Sequence, residues 1–107
     1  MPERGHQASP IYSEFSDDAD MLELVRSFVD EMPDRVTQLE SAWRAHDASA
    51  LKTVAHQLKG ASAGYGFSVV GQAAAELESA LKTLNSDLSK AQAEFDALVE
   101  LCRRAAA

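Results

Sequence analysis

From Leu22 onward, apolar residues recur at steps of three and four: Leu22, Val25, Phe28, Val29, Met32, Val36, Leu39 and Trp43. That spacing marks one buried face of a helix. The acidic stretch at Asp17 and Asp18 suits a helix N-terminus, so the helix is expected to begin there. The period passes through Pro33 without losing register, which favours a single kinked helix of about seven turns. A new helix with Pro33 in its first turn would bury the same residues.

Three shorter stripes follow. Asp47 is placed to cap a second helix with Leu51, Val54, Ala55 and Leu58 inward, and Gly64-Tyr65-Gly66 should close it, since glycine readily takes the left-handed conformation that ends helices. Ser68 can cap a third helix with Val70, Ala73, Ala74, Leu77, Leu81 and Leu84 inward. Asn85-Ser86-Asp87 then supplies a turn and cap before Leu88, Ala91, Phe95, Leu98 and Cys102. No segment alternates as a strand would, and no repeat is visible. The expected fold is all-α, an antiparallel up-down-up-down four-helix bundle whose long first helix overhangs or caps one end. Residues 1–16 read as a flexible N-terminal tail and strap, with Ile11, Tyr12 and Phe15 packing on the bundle, and residues 17–107 as the bundle domain.

Length leaves room for one domain and one core without staples. The formal charge of −7 argues against a nucleic-acid or anionic-membrane surface, both of which need concentrated Lys and Arg. Cys102 is the only cysteine, which excludes an intramolecular disulfide, and its place in an apolar stripe makes it a small core residue. Nowhere do roughly 18 apolar residues run together as a membrane span requires, and the N-terminus lacks a signal-type apolar run. A cytoplasmic monomer is the expectation.

One polar cluster stands apart from the stripes. At about 100° per residue, His56 lies some 200° from both Val54 and Leu58 and should therefore face solvent. Its neighbours on that face are Lys52, Lys59, Gly60 and Ala63. Two cations and two very small residues around an imidazole let an anionic group approach without obstruction while offsetting its charge.

Ala55-His56-Gln57-Leu58-Lys59-Gly60, the small residues Ala61, Ser62 and Ala63, Gly66 ten positions after the histidine, and Leu77-Glu78 about 22 after it together resemble the histidine-containing phosphotransfer (HPt) domain family. The resemblance runs from about Asp17 to Leu101. It implies that His56 takes a phosphoryl group from an aspartyl phosphate on a receiver domain and relays it to another receiver. Lys59 would then contact the phosphoryl oxygens, Gly60 would leave clearance, and Glu78 would hydrogen-bond and orient His56. Lys52, Ala63 and Gly66 are secondary candidates. The implied partners are response-regulator receiver domains or a hybrid sensor histidine kinase. The chain shows no nucleotide-binding loop and no carboxylate cluster for magnesium, so no cofactor of its own is expected, the receiver supplying Mg²⁺. Docking should use an apolar patch beside His56 with a polar rim. Candidates are Ser62, Ala63, Tyr65 and Phe67 with the first helix across the groove, although Phe67 reads as core and Tyr65 as either.

Other chemistries fit less well. A di-iron bundle needs two Glu-x-x-His motifs, and the chain has one, Glu3 to His6 in the tail. A hydrolase would need a nucleophile and a concave pocket beside His56. A phosphorylation-inactive docking or dimerisation adaptor would explain the stripe of the first helix but not the constellation around His56.

Overall fold

The computed structural model describes residues 9–83 and 87–107. Within them the periodic stripes become α1 (Leu22–Arg44), α2 (Ala48–Gly64), α3 (Ser68–Thr83) and α4 (Gln92–Arg104), the last entered through one 3-10 turn, Leu88–Ala91. Their inward residues form one core, in which Leu39, Leu51, Leu58, Leu77 and Leu98 are fully buried. Each such leucine contributes about 1.5–3 kcal/mol of transfer free energy. Pro33 stays inside an unbroken α1. The expected inward Leu84 and the Asn85-Ser86 part of the last turn lie outside the described residues, as do Glu3 and His6. Among the described residues no helix is long and apolar enough to cross a membrane.

Neighbouring helices meet through pairs whose order fixes their direction. Phe28 of α1 packs on Tyr65, with ring centroids 5.2 Å apart, whereas Arg35, two turns later, donates to Gln57 Oε1, earlier in α2. Trp43 stacks on Phe95 at 4.2 Å, and Arg103 pairs with Glu40. The α1–α2 turn puts His46 in the left-handed region at φ 55°. There the Asp47 N–H closes on Ala42 O, and the Asp47 carboxylate caps α2 by accepting from Ala50 N at 3.0 Å.

The first helix begins at Leu22, not at Asp17 or Asp18. Asp18 Oδ1 accepts from Asp20 N at 2.9 Å, and short i→i+3 bonds run through Ser16, Asp18 and Met21. Such local side-chain bonds compete with helix formation, and here they hold a run of turns. Leu22 is consequently exposed at the helix end rather than inward. Ser68 also departs from expectation: its hydroxyl donates to Glu14 Oε1, and Phe67 O accepts the first bond of α3.

Two short strands were not expected. β1 (Ile11–Tyr12) pairs in parallel with β2 (Ala105–Ala106), which ties the strap to the end of α4. Two residues are too few to display alternation. Ile11 packs on the core as expected, whereas Tyr12 and Phe15 remain exposed. The strap's buried anchor is instead polar, since Ser13 Oγ donates to Tyr65 O at 2.6 Å and Glu14 N donates to Gly66 O at 2.8 Å.

Cys102 is buried, and loss of solvation pushes its thiol up to about 12. A thiol that is both buried and held un-ionised should react with a thiol reagent far more slowly than a free thiol, through opening of the fold. Equal labelling rates for the native chain and a model thiol would contradict that burial.

Candidate functional site

His56 reaches solvent because its helix is pinned on the other side. Asp47 starts α2 in register, and buried Val54, Ala55 and Leu58 commit the opposite face to the core. The imidazole side chain is 67% exposed. From α3, Leu77 and Leu81 anchor the stretch that carries Glu78 across to it.

A single carboxylate joins two side chains of α2. Glu78 Oε2 lies 3.0 Å from His56 Nδ1, and Oε1 lies 2.9 Å from Lys59 Nζ. The hydrogen bond from Lys59, with further help from His56, holds the Glu78 carboxyl below its ordinary value of 4.5 despite its partial desolvation. An ionised carboxylate can only accept, so the contact is a hydrogen bond in the tautomer that carries the imidazole proton on Nδ1. In that tautomer Nε2 keeps its lone pair, on an exposed ring.

The remaining candidates divide. Gly60 is exposed, and a Cβ built there meets nothing within 4 Å, so the surface beside His56 is open to an incoming partner. Ala63 is likewise exposed. Lys52 is exposed and makes no ion pair among the described residues. Gly66 is elsewhere, buried beneath the strap at φ +85°. Lys59, expected to meet phosphoryl oxygens, is already paired with Glu78, but an ammonium has three donors and this one is 42% exposed.

Ser62 cannot belong to a docking patch, because it is fully buried; its hydroxyl has no partner among the described residues. Phe67 is core, stacked on Phe28 at 5.3 Å. Tyr65 is half-buried: it packs on Phe28, as a core residue would, and its remaining surface lines a groove of about 180 Å³ between α1 and α2, together with Leu24, Ala61, Glu31 and Arg35. Arg35 went unnoticed in the sequence, since only the packing of α1 on α2 brings it to Gln57, next to His56. Among the described residues no group of three or more His, Cys, Asp or Glu is placed to hold a metal ion.

A protein-family model described as the Hpt domain matches residues 23–107. No curated protein and no solved structure matches the chain.

Proposed function

The chain belongs to the Hpt domain family, whose role is histidine phosphotransfer in phosphorelays, and we propose that His56 is the residue that carries the phosphoryl group. The observation that supports this reading is the carboxylate of Glu78, shared between His56 Nδ1 and Lys59 Nζ.

In this reading, Nε2 attacks the phosphorus of an aspartyl phosphate on a receiver domain. The N–P bond forms as the bond from phosphorus to the aspartyl oxygen breaks, and the aspartate leaves as carboxylate. The lone pair donated to phosphorus leaves a positive charge on the ring, which Glu78 offsets at Nδ1, as an acidic orienter does in a catalytic triad. Lys59 turns a free donor to the equatorial oxygens, where charge neutralisation and in-line placement carry most of phosphoryl transfer. Reversal onto a second receiver completes the relay.

The receiver, free or part of a hybrid sensor kinase, brings the Mg²⁺ and the aspartate. It docks over the open surface at Gly60 and Ala63 and the α1–α2 groove. His56, Lys59 and Glu78 come from one chain, which supports reading the working unit as a monomer, and we place it in the cytoplasm with its receivers. The test is to offer the chain a phosphorylated receiver and follow the label. An acid-labile, base-stable phosphoryl group on the chain is expected, and its absence with every receiver tried would overturn the reading.

Glu78→Ala should slow this transfer roughly tenfold or more, as losing the carboxylate that orients a metal-bound histidine does. The same variant carries a pH signature. Because the folded pKa of Glu78 is lowered, its contribution to stability is present above the ordinary carboxylate range and is lost as pH falls through the folded value. Urea midpoints of parent and variant should therefore converge on acidification below 4.5 and separate above it. A constant gap across that range would mean that the ionised carboxylate contributes nothing.

A further inference from the structure

Glycine is a poor helix former, yet Gly71 sits within α3 and is buried. A Cβ at that position would stand 3.3 Å from Lys59 O, 3.5 Å from Ser62 Cβ and 3.6 Å from Ala63 N. The first approach is closer than ordinary van der Waals contact. Its partner is helix backbone, which cannot swing aside as a side-chain tip would. Gly60 and Gly64, by contrast, have nothing within 4 Å.

Seven residues beyond Gly71, about 10 Å along the axis and close to two full turns, stands Glu78. The two therefore share one face of α3. Gly71 bears on α2 at Lys59 to Ala63, while Glu78 meets His56 and Lys59, so α3 runs back along the segment that carries the site. A glutamate stem is short, and both of its oxygens are in use at 3.0 and 2.9 Å. A hydrogen bond at that distance is lost when its partners separate by much more than half an ångström.

We propose that Gly71 is a positioning residue for His56: the missing side chain sets the separation of α2 and α3 at which one Glu78 carboxylate reaches both His56 Nδ1 and Lys59 Nζ. Its consequence for transfer rests on the reading of His56 as the phosphoryl carrier, whereas its effect on the imidazole does not.

The experiment reads the imidazole directly. In the full chain with ¹⁵N-labelled histidine, at a pH where imidazoles are neutral, nitrogen shifts report whether His56 carries its proton on Nδ1 or Nε2, with His56→Gln used to assign the signal. The parent should show the Nδ1–H form. Gly71→Val should move it to the Nε2–H form that a solvated imidazole prefers, matching Glu78→Ala, and should slow transfer about as much as Glu78→Ala does, roughly tenfold by analogy with the carboxylate partners of metal-bound histidines. Gly71→Ala should shift it part of the way, although alanine is the better helix former. Gly64→Ala, made where space is open, should keep the parent form.

A folded Gly71→Val that retains the parent's Nδ1–H form overturns the proposal. If the valine variant does not fold, the alanine variant decides by the same criterion. A parent that takes no label while the proton moves as described would remove the relay reading and leave this one standing. A parent that transfers normally while Gly71→Val keeps its tautomer does the reverse.

Discussion

His56→Gln should reduce phosphoryl labelling by a phosphorylated receiver to background while leaving the circular dichroism and urea midpoint at parental values. The chemical half of this expectation follows from the lone pair. A glutamine amide nitrogen has none free to attack phosphorus, and losing the nucleophile removes the step that every later event depends on. The structural half follows from exposure. The side chain is 67% exposed, and substitutions at such positions usually stay within about 0.5 kcal/mol. Glutamine can also donate to Glu78 through its amide, so the carboxylate is not stranded.

The variant further separates a carrier from a docking module. If receiver binding depends on the open surface at Gly60 and Ala63 and on the α1–α2 groove, His56→Gln should bind receiver with near-parental affinity while accepting nothing. Label that persists in the variant, with the same acid lability and base stability, would place the phosphoryl group on another residue. His46 is the first alternative to examine, being exposed at the α1–α2 turn.

What the sequence made legible, and what it did not, divides by range. The stripes of α1 to α4 are local, since a residue's burial in a helix repeats with the helix's own period, so Val25, Leu51, Val70 and Leu98 could be placed one element at a time. The exposure of His56 followed from the same rule. Asp17 and Asp18 misled because an aspartate suits a turn as well as a helix start, and the choice was made by bonds such as Asp18 to Asp20. The contact of Glu78 with His56 spans 22 residues and two helices, so only the family spacing pointed to it. Nothing local identified Ser13 or Gly71, because a small residue's importance lies in what is packed against it.

Gly66→Ala should destabilise the chain by about 3 kcal/mol, the largest effect on stability expected of any single methyl group here. Two costs add. At φ +85° an L-residue is strained by roughly 1–2 kcal/mol, and glycine is spared this because it lacks a Cβ. The new methyl would also overlap Ser13 Oγ and stand 3.0 Å from Glu14 N and Phe15 Cδ2, so the strap must lift. Lifting it forfeits the bonds from Ser13 Oγ to Tyr65 O and from Glu14 N to Gly66 O, at about 1 kcal/mol each. The fall in Tm should be roughly 10 °C or more for a domain of this size. Because the His56, Lys59 and Glu78 contacts are made between α2 and α3 without the strap, transfer below the new Tm should survive. Ser13→Gly in the same background should recover part of the loss, since it removes the overlapping hydroxyl but not the strain. A parental Tm for Gly66→Ala would show that the strap does not hold the α2–α3 turn, and a loss of transfer in the folded variant would show that the strap supports the histidine as well.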